Sequence, residues 1–442
     1  MKKYFISVLC FALVLSSVGQ TWEIVGDQAY GDPWNDLQEL EMINDVPHVV
    51  YIDYDSWELR LSIFQNNSWS VPENGVIAEE AGGIYRTTVD TDGNLYVAFH
   101  DANFSSDISV KKWNGSDWEF VGSPGFGVYA TSAYPMQISC LSDNAVVLAY
   151  PKAETWNEGF GDLEVLRYNG TSWENMGQNI AGDAVSYISM GVLSSDDIYL
   201  NYLTANDESR IAKFSGTDWN VLTTPFDEDS IYTTNIVVGA NDEIIGWRSS
   251  FNSFGSQFYI AFDDVWSPIN SPNDLIDQFI VVNQFNWAIE FNGDENSWYA
   301  GFTTNTNSIS YFKKFDGANW ISECDSVDTS NGTFYYSDLE FDSEGTPYYT
   351  NAMGNLSTCN NESVGISDDE DFLDFTIYPN PGTELIIVQF NKPQSNVRIY
   401  NLTGKELFSR TLNNGDKIDL RSFKKGLYLI QSEGITKRLV IQ

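Results

Sequence analysis

Apolar and polar positions along the chain fall into short runs, and the runs recur. Seven segments carry a tryptophan after a polar turn: TWEIVG (Trp22), NNSWSV (Trp69), NGSDWEFVG (Trp118), NGTSWENMG (Trp173), SGTDWNVL (Trp219), DDVWSPI (Trp266) and DGANWISE (Trp320). Their spacings are 47, 49, 55, 46, 47 and 54 residues. In five copies an aromatic stands five residues earlier (Phe64, Trp113, Tyr168, Phe214, Phe315), and Phe262 stands four before Trp266. Such pairs predict a hairpin whose two strands each set an aromatic against the neighbouring repeat. A second marker recurs: HVVYID, NLYVAF, AVVLAY, IYLNYL, EIIGWR, SWYAGF and PYYTNA. These short apolar runs suit a strand buried on both faces, and we read them as inner strands. Turn signals such as Asp92-Gly93-Asn94 and Glu344-Gly345-Thr346 precede most of them. Four strands in about 50 residues is the period of a propeller blade.

The order of the markers predicts how the ring closes. The tryptophan marker comes first, at Trp22, and the apolar marker comes last, at Tyr349. The chain therefore begins on an outer strand and ends on inner ones, with six complete repeats and a seventh shared by the two ends. Joining them removes an open sheet edge. The expectation is an all-β fold: a seven-bladed β-propeller over 20–360, closed by N- and C-terminal strands. Six blades with a stray N-terminal strand is the runner-up. A solenoid would carry capping repeats, and none is visible.

The two ends differ from the middle. The first residues, MKKYFISVLCFALVLSSVGQ, hold a basic pair (Lys2, Lys3), an apolar run from Tyr4 to Leu15 and the small-x-small pattern Ser17-Val18-Gly19. This is the layout of a secretory signal peptide over 1–19, too short for a membrane span. No other apolar run approaches the length of a transmembrane segment. Export favours disulfides. Cys324 and Cys359 are a candidate pair near the end of the repeats, while Cys140, in YPMQISCL, reads as a small buried hydrophobe.

Charge sharpens the division. The chain has 442 residues, with 62 Asp and Glu against 23 Lys and Arg, for a formal charge of −39. From Phe375 to Gln442 there are ten basic and five acidic residues, a charge of +5, and none of the 14 tryptophans. Residues 20–374 hold 11 basic and 57 acidic residues, a charge of −46. That excludes phosphate-backbone binding, so no nucleic-acid partner is expected. The stretch NNESVGISDDEDFLD is acidic and reads as a linker over 361–374. Beyond it, TELIIVQF, NVRIYNL, LYLIQS and KRLVIQ predict short strands of a small Ig-like sandwich over 375–442.

Within this last segment FTIYPNP (375–381), VRIYNLTGKEL (397–407) and IDLRSFKKGLYLIQSEGITKRLVIQ (418–442) together resemble the type A C-terminal sorting domain of the type IX secretion system of Bacteroidota. The resemblance rests on Tyr378, Pro379, Asn380 and Pro381, on the Gly404-Lys405 turn, on Gly426 and Tyr428, and on Lys437 in the terminal strand. It implies the type IX machinery and its sorting peptidase as partners. It also implies removal of the domain, and then release or attachment at the outer surface.

Candidate chemistry in the repeats is sparse. Connections from one blade to the next share a face with those between second and third strands, where propellers usually place ligands. On it we expect Tyr30 and Trp34 in GDQAYGDPWND, Phe126 and Tyr129 in VGSPGFGVYATSAY, and Glu154, Trp156 and Glu158 in PKAETWNEGFGD. Aromatic faces beside carboxylates suit sugar rings. Lys112, Arg167, Lys213 and Lys314 each precede the hairpin aromatic and read as edge-strand cations that resist sheet pairing. Asp90-Thr91-Asp92-Gly93-Asn94 starts like a calcium loop but lacks a Glu at its twelfth position, so it reads as a tight turn. No cofactor is expected, although clustered carboxylates suit loosely held Ca²⁺. The two histidines, His48 before an inner strand and His100 after one, have no visible nucleophile partner; His100-Asp101 is the least ordinary pair. No Asp-box turn, phosphate loop, HExxH or CxxC occurs. The first expectation is a non-enzymatic binding module for glycan or another surface ligand. The alternatives are a polysaccharide hydrolase or lyase using paired carboxylates, and an adhesion protein engaging another protein.

Overall fold

The structure, a computed structural model, describes most residues from Trp22 to Ile441. Outside the described residues lie 1–21, several short stretches and, chiefly, 128–135, 153–159, 226–230, 251–255, 270–286, 304–308, 329–337, 360–374 and 379–384. The signal-peptide expectation therefore falls outside them. The chain divides into two compact units, 1–361 and 362–442.

Seven antiparallel sheets build the first unit. Their first strands are Pro33–Ile43, Ala81–Val89, Gln137–Cys140, Val185–Val192, Ile231–Val238, Trp287–Asn292 and Leu339–Phe341. Each contacts the next in order, and Leu339–Phe341 contacts Pro33–Ile43, so the sheets close into a ring. The apolar markers form the second strands, such as Leu95–Asp101, which is buried along its whole length. They are therefore inner strands, one out from the first strands that line the centre. His48 and His100 accordingly sit inside second strands, at Val46–Asp53 and Leu95–Asp101. The reason is chemical. A second strand has a neighbour on each edge and a sheet on each face, whereas a first strand has one bare edge that polar side chains must satisfy. Ser189 Oγ accepts from Ile236 N at 3.0 Å. Asp338 Oδ2 accepts from Leu40 N at 2.7 Å, across the point where the ring closes.

The hairpin aromatics meet as their spacing predicts. Phe64 lies opposite Trp69, Trp113 opposite Trp118, Tyr168 opposite Trp173, Phe214 opposite Trp219 and Phe315 opposite Trp320. In the tighter hairpin, Trp266 lies opposite Ala261 instead. Three of these tryptophans also reach the preceding repeat. Trp69 Nε1 donates to Val25 O at 3.0 Å, Trp173 to Val121 O at 2.9 Å and Trp219 to Met176 O at 3.0 Å. Every acceptor is the third residue after the previous repeat's tryptophan. A glycine follows it: Gly122 has φ +78° and Gly177 φ +141°, and a Cβ on either would come within 2.9 Å of the next indole. Burying an indole contributes roughly 4–6 kcal/mol and its hydrogen bond about 1 kcal/mol, so packing dominates and the bond sets the angle.

A second set of links joins the turns between first and second strands. Thr91 donates to Asn144, Ser142 to Asp196 and Ser194 to Asp242, each through its amide and its hydroxyl. Ser343 makes the same pair of bonds to Asp45, 298 residues away, and so joins the last turn to the first. The acceptors have φ between +61° and +65°, a region that Asn and Asp tolerate. Asp90 begins a tight turn, with Oδ1 accepting from Asp92 N (3.0 Å) and Asn94 N (2.9 Å).

The seventh sheet is shared. Trp22–Ile24 pairs antiparallel with Leu356–Cys359, with Trp22 opposite Cys359. The Trp22 ring meets Phe312 of the preceding sheet edge-on at 5.2 Å. A disulfide joins Cys359 to Cys324, just past the outer strand Trp320–Ser322 of the sixth sheet. Cys140 is free and half-buried, and burial pushes its thiol up to about 12.

The second unit is two antiparallel sheets on one core. Phe375–Tyr378, Leu385–Phe390 and Lys417–Asp419 form one; Glu406–Asn413, Gln394–Asn401, Gly426–Ser432 and Ile435–Ile441 form the other. Phe375, Val388, Ile399, Ile430 and Leu439 pack between them.

Because all the tryptophans lie in the first unit, their emission reports its melting alone. Deleting residues 20–26 removes the closing strand and the carbonyl that receives Trp69. We expect a melting temperature lower by about 10 °C; an unchanged value would contradict the shared sheet.

Candidate functional site

In an antiparallel sheet the connection between second and third strands emerges at the same end as the connection to the next sheet. In the first repeat it is the tight turn Asp53–Glu58. Asp53 N donates to Glu58 O at 2.9 Å and Trp57 N to Asp53 O at 2.9 Å. Asp53 Oδ1 accepts from Ser56 N (3.0 Å) and Ser56 Oγ (2.7 Å). Arg60 Nε donates to Glu58 at 2.8 Å and Nη1 to Asp53 at 3.2 Å, so two carboxylates hold the guanidinium. Between them Tyr54 and Trp57 stand out, 56% and 47% exposed.

Trp57 has φ +62°. Of the eleven described non-glycine residues with positive φ, nine are Asn or Asp; the others are Ser105 and Trp57. A bulky side chain there costs about 1–2 kcal/mol. The fourth repeat offers a comparison. Its turn closes by Thr204 N to Glu208 O at 2.9 Å, and Arg210 pairs with Glu208 at 2.8 Å. The residue before that glutamate is Asp207, at φ +59°. That turn is one residue shorter, and it sets a tolerant Asp at the left-handed position before the glutamate where the first repeat has tryptophan.

Exposed aromatics are unevenly placed. Among the described residues they are Tyr54, Trp57, Phe104, Phe120 and Phe160. Four lie on the second-to-third connections of the first three repeats. Phe120 lies on an outer strand, 6.5 Å edge-on from Phe104, with Lys111 Nζ 4.8 Å above its ring.

The residues anticipated on this face fare differently. Tyr30 is buried, edge-on to Tyr51 and Trp69 at 5.6 Å each, with its hydroxyl donating to Gln38. It is a core residue with no face free for a ligand, contrary to expectation. Phe126 is half-buried and stacked on Trp173 at 5.0 Å, so it too serves packing. Tyr129, Glu154, Trp156, Glu158 and the side chain of Trp34 lie outside the described residues. Tyr54, Trp57 and Phe104 were missed. The signal was present, an aromatic in each turn after an apolar run, but it looked like ordinary turn sequence.

The cations before the hairpin aromatics are not edge residues. They lie in third strands, which short fourth strands cover. Lys112 stands over Tyr96 at 5.2 Å, Lys213 over Tyr199 at 4.9 Å and Lys314 over Tyr299 at 5.5 Å, while Arg167 pairs with Asp143. Between the second and third sheets, on the opposite face, a groove of about 510 Å³ runs past Lys112, Phe120 and Arg167. The histidines are structural. His48 Nδ1 lies 2.8 Å from Val46 O, and burial lowers its pKa. Asp101, beside buried His100, accepts from Asn103 N at 3.1 Å and caps a short 3₁₀ turn.

Carboxylates gather at the first strands. Burial pushes Glu41 and Glu290 up to about 8 and Asp338 up to about 7, each helped by neighbouring acids. Burial likewise raises Glu340, beside Glu290 and Glu41, and Glu39, although Arg86 lies 2.9 Å from Glu39 and opposes the rise. No group of three or more His, Cys, Asp and Glu among the described residues is arranged to hold a metal ion.

In the second unit Tyr428 is buried and donates to Lys424 O at 2.6 Å, and Lys437 stands 5.6 Å over Phe375, linking the two sheets. Lys405 N donates to Asn401 Oδ1 at 2.9 Å beside the turn, and Gly426 opens a strand at φ +153°. Only the backbone of Tyr378 is described; Pro379, Asn380, Pro381 and Gly404 fall outside.

Fold and tail together define an exported β-propeller. The family described as the secretion system C-terminal sorting domain matches residues 376–442. The chain is therefore carried by type IX secretion to the cell surface or beyond. Among the described residues no helix is long and apolar enough to cross a membrane. No curated protein matches the chain. Among solved structures it is similar to PorZ, a surface component of the type IX secretion system of Porphyromonas gingivalis, at 13% identity and TM-score 0.45, covering 94% of this chain and 60% of PorZ. It is also similar to the fucose-specific lectin of Aleuria aurantia, at 15% identity and TM-score 0.42 over 62% of this chain and 89% of the lectin. A PL25 ulvan lyase gives 10% identity and TM-score 0.46 over 76% of this chain and 94% of the lyase. The chain spans about 60% of the length of PorZ. At these scores the likenesses carry no functional argument, which rests on the residues above.

Two outcomes follow from this geometry. A carboxyl raised on folding adds stability below its unfolded value near 4.5, and that contribution is lost as pH rises through the folded value. For Glu41 and Glu290 the loss is complete above about 8. Tryptophan emission should therefore report a melting temperature at least about 5 °C higher at pH 5 than at pH 8, and Glu41→Gln should flatten the slope. A higher value at pH 8 would refute the burial argument. Truncation after Asp374 should leave the propeller folded but held in the periplasm; its appearance outside the cell would overturn the sorting assignment.

Proposed function

We propose that the propeller is a non-enzymatic binding module for glycan at or beyond the cell surface. One observation carries this reading: the exposed aromatics of the described residues are confined to the first three repeats, mostly on one set of connections. Singly exposed apolar residues are ordinary, but aromatics gathered along adjacent loops mark a recognition surface. A sugar ring lays its C–H face on an aromatic and donates hydroxyls to nearby carboxylates. The Trp34 and Trp156 loops of the sequence analysis belong to the same set of connections and are proposed as part of this surface. A screen of the mature chain against immobilised glycans, with and without Ca²⁺, tests it. We expect saturable binding, no product release, and at least a tenfold weaker Kd for the Tyr54→Ala/Phe104→Ala double variant. Silence on the glycans with capture of a surface protein would favour the adhesion alternative.

A second reading draws on the carboxyls raised toward neutrality, because a carboxyl protonated near pH 7 is suited to general-acid chemistry. Product release abolished by Glu41→Gln/Glu290→Gln would establish it.

A further inference from the structure

We infer that this surface takes the interior of a long, uncharged polysaccharide, stacking its sugars on Tyr54, Phe104 and Phe160 as rungs of one track around the ring. The inference rests on the binding-module reading and names its ligand class. The rungs recur by position. They are exposed rings (56%, 39% and 39%) on the second-to-third connections of the first, second and third repeats. In the fourth repeat that connection, 205–208, reads Ala-Asn-Asp-Glu and carries no aromatic. Two rungs are set at seams between sheets. A Cβ on Gly125, in the connection to the third sheet, would lie 2.5 Å from the Cβ of Phe104, and Gly125 N donates to Ser109 Oγ at 3.0 Å. Phe160 precedes Gly161, which exchanges backbone hydrogen bonds of 2.9 and 2.7 Å with Val185, the first residue of the fourth sheet. Tyr54 follows Asp53, whose amide closes its turn onto Glu58 O at 2.9 Å. Rings placed by fixed backbone lose little freedom when a ligand stacks on them.

The openness of the rungs selects the middle of a chain. A pocket built for one small sugar buries most of its surface, whereas an exposed ring meets a single face. One such contact changes affinity by roughly threefold to tenfold. Contacts to one polymer multiply, because the second and third encounters are intramolecular. Charge selects an uncharged chain. Residues 53–60 carry three acids to one base, 101–107 two to none and 152–164 four to one. Both bases are already paired, Arg60 at 3.2 Å from Asp53 and Lys152 at 3.1 Å from Glu164. At the base of the Phe104 connection Asp101 lies directly opposite Asp107. Like charges so placed oppose folding, yet they offer a hydroxyl donor two adjacent acceptors. Sulfated or uronate chains are repelled by the same groups.

The test titrates the full mature chain with neutral gluco-, manno- and xylo-oligosaccharides, from the disaccharide to about eight residues, and with oligogalacturonates of the same lengths. We expect a neutral series to gain at least about a hundredfold in affinity from the shortest member to the longest. Tyr54→Ala, Phe104→Ala and Phe160→Ala should each weaken the longest oligomer by roughly threefold to tenfold. Their melting temperatures, followed by tryptophan emission, should stay within about 2 °C of wild type. Phe104→Leu keeps apolar bulk against Gly125 but loses the flat face, so it should bind like Phe104→Ala; Phe104→Tyr should bind like wild type. A disaccharide that binds as tightly as the longest oligomer would overturn the polymer assignment and leave the binding module standing. So would a loss confined to one of the three alanine variants. Preference for galacturonates would overturn the ligand class, and absence of all glycan binding would overturn the binding-module reading as well.

Discussion

The architecture depends on one repeated contact: an indole wedged against the repeat before it. Each blade of a ring is a small sheet that cannot bury its faces alone. The indoles of Trp69, Trp173 and Trp219 supply that burial, and their Nε1–H groups aim at a carbonyl three residues past the previous indole. Glycine must follow the carbonyl because a Cβ would strike the ring. A chain of such contacts has two loose ends. Trp22 resolves them by arriving first and packing last, beside the sixth repeat. Closure is then reinforced by Ser343 on Asp45, by Asp338 on the backbone of Leu40 and by the Cys324–Cys359 disulfide.

Much of this was legible in the chain. Tryptophan spacing gave the period, and the order of the markers gave the closing sheet, because both reflect packing that side-chain type alone specifies. The tail was legible from several short motifs acting together. What stayed hidden was the first strand of each sheet, because a strand lining the axis must satisfy its own bare edge and so carries Glu39, Ser189 and Glu290 among apolar residues. That mixture hides it from a hydropathy reading. Lys112 and Lys213 were likewise read as edge guards, since nothing in a linear pattern shows the tyrosine ring beneath each ammonium.

The candidate site was legible only in kind. An aromatic, acidic loop face was expected, and the described part of it is aromatic and acidic. The particular residues differ for physical reasons. Tyr30 and Phe126 had the right composition and the right connections, but their rings pack onto Tyr51 and Trp173. Trp57 became conspicuous through its backbone angle, a quantity no composition reveals. The strongly acidic segment then narrows the ligand, because a surface of one sign excludes polymers of the same sign before any contact is made.

The central claim is that the ring presents the first three repeats' second-to-third connections as a glycan surface. Hydroxyl-radical footprinting with a bound neutral oligosaccharide tests it directly. Protection should appear at Tyr54, Trp57 and Phe104 and be absent from the groove lined by Lys112 and Arg167 on the opposite face. Protection of that groove with the turns unprotected would contradict the account.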